Sequence, residues 1–313
     1  MSFFPGKDPV AGNAFQCDAI QHLIVPRTAD LGGFAVRRAL PSAQRRMVGP
    51  FIFLDHFGPT EFRDHWMDVR PHPHIGLATV TYLFEGEVMH RDSIGSAQAI
   101  RPGEINWMTA GRGIAHSERT PPGHRLAGEP IHGLQCWVAL PRAREEMDPA
   151  FAHHDAAEFP VVADTGHTIR VMAGSLYGVR SPLAATSETI FADIALKAGA
   201  RVPIDATHDE RAIYIVDGEI DIAGDRFRPQ QLLVLKPGDA ITVAAATDAH
   251  IALLGGEPMD GPRHIWWNFV SSRKERIEQA KEEWKTGRFA PVPGDAGEFI
   301  PLPEQPAPRP QPL

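Results

Sequence analysis

The chain has 313 residues, and its 31 Lys and Arg against 39 Asp and Glu leave a formal charge of −8 at pH 7. That balance disfavours direct nucleic-acid binding, which draws on clustered cations, and no apolar run approaches the roughly 18 residues that span a bilayer. Two cysteines, Cys17 and Cys136, stand far apart and outside any Cys-x-x-Cys pattern, so neither a disulfide framework nor a thiolate zinc site is expected.

From the N-terminus, residues 1–8 (MSFFPGKD) lack a basic region followed by an apolar stretch, so no secretory leader is read and a cytoplasmic location is expected. Short runs rich in Val, Ile, Phe and Tyr then recur between glycines and prolines. They cover 79–84, 131–140, 168–172, 190–196, 212–216 and 231–235. In the first, alternation puts Val80, Tyr82 and Phe84 on one face. Many short strands with turn chemistry between them predict an all-β protein of sandwiches or barrels. The length suits two domains, read as 1–150 and 160–300 with the boundary in the polar stretch 142–160. One helix is predicted over 271–286, opened by N-cap-type serines. It is a mostly solvated surface helix pinned by Ile277, Ala280 and Trp284, with ion pairs spaced at Lys274–Glu278, Glu278–Lys281 and Glu282–Lys285. Six prolines in 301–313 predict an extended or disordered tail.

An internal repeat organises the chain. Tyr82-Leu83-Phe84-Glu85-Gly86-Glu87-Val88, then Pro102-Gly103-Glu104, is echoed by Tyr214-Ile215-Val216-Asp217-Gly218-Glu219-Ile220, then Pro237-Gly238-Asp239. Each copy is an aromatic-led strand turning at an acidic-Gly pair, so the chain reads as two copies of one β unit.

The chemistry concentrates in the first copy. Eight of the 15 histidines lie between His56 and His132. His72 and His74, and His116 and Glu118, each sit at i and i+2 of a strand, where side chains share a face. About 0.7 His-x-His pairs are expected by chance in this composition, so it is the combination inside a β repeat that carries weight. Three imidazoles and a carboxylate suit a divalent first-row metal with positions left for water, substrate or dioxygen.

His72-x-His74, then Thr79, then Gly86 resembles the first cupin motif, with Thr79 where many cupins carry glutamate; His116 stands as the second-motif histidine does. This variant resembles the pirin family. The likeness extends to the segments Gly49 to Pro59, His90-Arg91-Asp92-Ser93, Thr109-Ala110-Gly111-Arg112-Gly113 and Trp266-Trp267-Asn268-Phe269-Val270, from about Gly32 to Pro301. The resemblance implies a bicupin of two jelly-roll-type β-barrels. It implies iron, Fe(II), held in the N-terminal barrel by His72, His74, His116 and Glu118. Such a ligand set would also accept Mn, Co, Ni, Cu or Zn. It further implies quercetinase-type chemistry, in which O₂ opens the ring of a flavonol or related hydroxyketone and carbon monoxide leaves, with Glu118 accepting the substrate's hydroxyl proton. The alternative that the family also implies is an iron- or redox-responsive regulator that binds a protein partner without turnover. Another metal-dependent cupin enzyme, such as an isomerase, is a lesser reading.

Counting from the repeat glycine and the Pro-Gly turn puts Ile204 and Ala206, then Ile251 and Leu253, at the ligand positions of the second copy, so that barrel is expected to lack metal. His208, Glu210 and His250 remain candidates for a degenerate site there. His56 and His90 are candidates for orienting a ligand imidazole. Arg112 is a candidate contact for an anionic substrate, and His153 and His154 read as linker surface. No G-x-S-x-G, P-loop or strand-linked G-x-G-x-x-G occurs.

Overall fold

The structure, a computed structural model, describes residues 17–30, 35–60, 67–127, 130–304 and 311–312. The segment read for a leader and most of the proline-rich tail lie outside these residues. Two β-barrels stand in tandem, each made of a seven-stranded and a four-stranded sheet.

In the first barrel the large sheet runs in the order Ala150–His154, Ile105–Thr109, Leu77–Glu85, Ile131–Ala139, Phe51–Thr60, Ala35–Leu40 and Arg27–Asp30. The second has Ile20–Ile24, Leu232–Leu235, Glu210–Asp217, Ala249–Gly256, Thr189–Leu196, His167–Ala173 and Val161–Ala163. The small sheets match in order too. Asp68–His74, Ile114–Arg119, Val88–Asp92 and Ala97–Ile100 correspond to Arg201–Ile204, Ile241–Ala245, Ile220–Ile222 and Asp225–Phe227. The two copies therefore share one strand order, as a duplicated unit should.

The leading strands are exchanged between the copies. Ile20–Ile24 precedes the first barrel in sequence but pairs with Leu232–Leu235 of the second. Ala150–His154, inside the stretch read as a boundary, precedes the second barrel and pairs with Ile105–Thr109 of the first. Each strand covers an otherwise open sheet edge of the other copy.

The large sheets pack face to face. Val80, Tyr82, Leu134 and Cys136 of one sheet meet Ala212, Tyr214, Ala252 and Leu254 of the other in a shared core. The face carrying Val80 and Tyr82 is thus the contact between barrels, and the alternate residues look into the first barrel. Fully burying each large apolar side chain here stabilises the pairing by about 1.5–3 kcal/mol. The second barrel is filled by aliphatic side chains, among them Ile213, Ile251 and Leu253.

The helix spans Lys274–Lys285, and its N-cap is Arg273, which makes no side-chain capping bond. Ser272 instead binds the Glu145 carboxylate through its amide and hydroxyl, both at 2.8 Å, which corrects the capping role expected of the serines. Ile277 and Ala280 are buried as the apolar stripe predicts, and Trp284 packs beside them. Of the three expected ion pairs, Glu278–Lys281 closes at 2.6 Å. Arg276 is buried as well, pairing with Glu146 and Glu283 and donating to the Arg112 carbonyl. The helix therefore docks onto the first barrel although it follows the second in sequence.

Candidate metal centre

Asp68–His74 and Ile114–Arg119 are antiparallel neighbours, with His72 opposite His116. All three histidines are 1% exposed, and one ring nitrogen of each lies within 4.8 Å of the other two. Ring centroids are 4.4 Å apart for His72–His116 and 5.0 Å for both His72–His74 and His74–His116.

The far nitrogens decide which atoms point inward. His72 Nδ1–H donates to the Arg70 carbonyl at 2.9 Å, and His74 Nδ1–H donates to the Asn268 carbonyl at 3.1 Å. A carbonyl oxygen only accepts, so in each neutral ring Nε2 keeps a lone pair. His116 Nδ1 meets His90 Nδ1 at 3.4 Å, while its buried Nε2 has no hydrogen-bond partner among the described residues. Burial first, and then the neighbouring imidazoles, hold all three rings well below the usual histidine range, so they stay neutral. Three converging neutral imidazoles, one with an orphaned buried nitrogen, fit a divalent metal ion.

His74 has an unusual support, because Asn268 belongs to a segment that returns from the second barrel. Ile75 bridges to Phe269, and a Cβ on Gly76 (φ +69°) would lie 2.0 Å from the Val270 carbonyl oxygen. Only glycine permits that approach. The Trp266 to Val270 segment thus closes one end of the ligand strands, packed with Ile75, Ile277 and Ala280.

Glu118 lies two residues after His116 on the same strand and is 1% exposed. It does not join the three-nitrogen cluster. Its Oε1 accepts from Thr81 Oγ1 at 3.0 Å and from Gln135 Nε2 at 2.9 Å, and its Oε2 accepts from Gln135 Nε2 at 2.8 Å. A carboxylate offers about four lone-pair positions, so these contacts leave one on Oε2. Thr81, Asn106 and Gln135 stand opposite one another in register and so share the inner face. Sequence reasoning missed Thr81 and Gln135; a glutamine within the otherwise apolar run 131–140 was the available signal.

The other candidates disperse. His90 is beside the centre, but His56 lies between the barrels, bonded to Tyr214 at 2.9 Å and His132 at 2.8 Å, and orients no ligand. Arg112 is exposed and paired with Asp148. His153 is strand, not linker, and contacts Asn106 Oδ1 at 2.8 Å. His154 bonds Glu158 at 3.0 Å.

In the second barrel His208 bonds Glu188, Glu210 bonds Gly49 and Arg45, and His250 bonds Asp193, so no shared site forms. The counterpart of Pro102-Gly103-Glu104 is Pro229-Gln230-Gln231, which corrects the pairing with Pro237-Gly238-Asp239. Gly103 N–H donates to Leu83 O as Gln230 N–H donates to Ile215 O. Arg101 N–H donates to the Glu104 side chain as Arg228 N–H donates to that of Gln231. The ligand strands therefore correspond to Arg201–Ile204 and Ile241–Ala245, not to the strand holding Ile251 and Leu253. Their buried residues are Val202, Ile204, Ile241, Val243 and Ala245, which carry no metal-binding atom.

Two tandem jelly-roll barrels with one polar, histidine-lined interior define a bicupin. Residues 33–138 match the Pirin family and residues 191–290 match the Pirin C-terminal cupin domain. The chain is 49% identical over 282 residues to a pirin-like protein of Caulobacter vibrioides, covering 89% of this chain and 97% of that one. It is 32% identical over 270 residues to human pirin, covering 82% and 88%. A solved structure of quercetin 2,3-dioxygenase from Acinetobacter baumannii superposes with a TM-score of 0.83 at 34% identity, covering 91% of this chain and 95% of that one. The chain belongs to the pirin family. No helix among the described residues is long and apolar enough to cross a membrane.

Proposed function

We propose that this protein is a metal-dependent dioxygenase of quercetinase type, opening a flavonol or related hydroxyketone with O₂ and releasing carbon monoxide. The observation that carries the reading is the convergence of three buried, neutral imidazoles beside a buried carboxylate that keeps one free lone pair. The likeness to the Acinetobacter enzyme supports it. His72, His74 and His116 would hold the ion, taken as Fe(II), with Glu118 as the fourth ligand. Bound there, the metal would supply Lewis acidity and a site for dioxygen chemistry.

The chain's own groups do the rest. Glu118 has one lone pair free, on Oε2, so it would accept the substrate's hydroxyl proton there on giving up its place as a ligand, while Thr81 and Gln135 keep its carboxylate oriented. Gln135 Oε1 and Asn106 Nδ2 are buried without hydrogen-bond partners among the described residues, and offer an acceptor and a donor to a polyhydroxylated substrate. Apolar clusters around Leu83 and Val88 and around Met108 and Trp137 keep water from the reacting oxygens.

The test is aerobic incubation with quercetin of iron-loaded protein, apoprotein and iron-treated His74→Ala. Flavonol absorbance should fall, with carbon monoxide evolved, in the first alone. Equal consumption in all three would sink the proposal.

A further inference from the structure

We infer that Asp92 and His90 form a positioning dyad that sets the tautomer of His116 and so turns its lone pair into the metal centre. The inference rests on the metal-centre reading and concerns how that centre is held. His90 Nε2 lies 3.0 Å from Asp92 Oδ2. An ionised carboxylate only accepts, so the proton is on His90 Nε2. His90 Nδ1 then carries the lone pair and accepts His116 Nδ1–H at 3.4 Å. That leaves the His116 lone pair on Nε2, the orphaned buried atom. Both nitrogens of His90 are used, so His90 orients a ligand without being one.

Three features show that the dyad is built for this arrangement. Asp92 Oδ1 accepts the backbone N–H groups of Ile94 and Ser96 at 3.1 and 2.9 Å, which aims Oδ2 at His90. The His90 ring stacks on Phe151, centroids 4.6 Å apart and 19° between planes, and Phe151 belongs to the exchanged strand Ala150–His154. The second barrel supplies an internal control. Across from Val243 and Ala245 on its counterpart of the ligand strand stand Ile222 and Ile220, where across from His116 and Glu118 stand Asp92 and His90. The polar pair is absent from the barrel whose ligand positions are apolar. His72 and His74 take their tautomers from backbone carbonyls, which leaves His116 as the ligand whose tautomer a side chain decides.

Asp92→Asn is the discriminating change. The Asn carbonyl oxygen keeps the two turn amides, and its NH₂ then faces His90 Nε2. His90 must accept there and donate from Nδ1, which moves the His116 proton to Nε2 and closes its metal-facing lone pair. Two-bond ¹H–¹⁵N spectra of histidine-labelled apoprotein should show His116 as the Nδ1–H form in the wild type and the Nε2–H form in Asp92→Asn. Co(II) titrations followed by absorbance should show binding weakened about 10–100-fold in Asp92→Asn and His90→Phe. His90→Gln, which retains an acceptor, should restore most of it. If His90→Phe does not fold, the near-isosteric Asp92→Asn carries the test. Unchanged His116 tautomer and wild-type Co(II) affinity in Asp92→Asn would overturn the inference. Wild-type protein that takes up no Co(II), yet shows the tautomer switch, would uphold the dyad and overturn the metal-centre reading instead.

Discussion

His56 and Asp193 hold the same position in the two barrels and make matching contacts across the interface. His56 stands opposite Arg37 and Leu134 in its sheet, and Asp193 stands opposite Arg170 and Ala252 in the other. His56 bonds His132 of its own barrel and the Tyr214 hydroxyl of the other. Asp193 bonds His250 of its own barrel and accepts from the Tyr82 hydroxyl of the other at 2.5 Å. Each barrel thus lends its hairpin tyrosine to its neighbour, and the two trios differ in that one centres on an imidazole and the other on a carboxylate.

That difference makes the interface sensitive to acid. Burial first, then His132 and Arg37, push His56 down to about 3. As pH falls below the ordinary value of 6.5, the unfolded chain gains a proton that the folded chain refuses. Stability is therefore full above about pH 6.5 and declines toward pH 3, with a slope from this group approaching about 1.4 kcal/mol per pH unit. His56→Gln keeps polar contacts but does not titrate. Urea unfolding between pH 4 and 7 should show a shallower pH dependence in His56→Gln than in the wild type; identical slopes would remove His56 as the source.

Gly76→Ala should detach the returning segment from the ligand strand. The added Cβ meets the Val270 carbonyl at 2.0 Å in a left-handed backbone. We expect about 2–4 kcal/mol of lost stability in denaturant unfolding, from backbone strain and the displaced contact. Metal uptake should fall with it, because the Asn268 carbonyl no longer fixes His74. Wild-type stability would show that the segment yields at no cost.

No metal is expected inside the second barrel, which presents Val202, Ile204 and Val243 to its interior. Chelation should lower the melting temperature of the loaded protein. Metal present at 100 times its Kd adds about 2.7 kcal/mol to the folded state. His72→Ala, His74→Ala and His116→Ala should each abolish the chelator effect. A chelator-sensitive melting temperature in all three variants would place the metal elsewhere.

Gln135→Leu puts into the first barrel the residue type found at Leu253 in the second. It removes both Gln135 bonds to the Glu118 carboxylate, and hydrogen bonds to a charged group contribute about 1.5–3 kcal/mol each. A loss of about 3 kcal/mol is expected, and a smaller one in a Glu118→Gln background. Equal losses in the two backgrounds would mean that the pair is not coupled.

Much of this was legible in order along the chain. Period-two alternation is a local property, so the strands at 190–196 and 212–216 could be read directly, and so could the shared face of His72 with His74. The repeat was also visible, but its second turn was mispaired. Pro237-Gly238-Asp239 looks like Pro102-Gly103-Glu104, whereas the hydrogen bonds equate Pro229-Gln230-Gln231, where Gln230 adopts the positive φ (64°) that Gly103 holds at 80°. A turn is defined by backbone shape, which more than one residue type can satisfy.

By itself the sequence determined an all-β duplicated chain with His72 and His74 on one face of a strand in its first copy, because strand period and residue chemistry are written residue by residue. Tertiary structure alone decided what holds those histidines. Gln135 and Thr81 reach Glu118 from other strands, Asn268 fixes His74 across 194 residues, and the leading strands change barrels. Those contacts depend on register and chain return, which arise only when separate strands pair and bury their edges, and no local pattern encodes them.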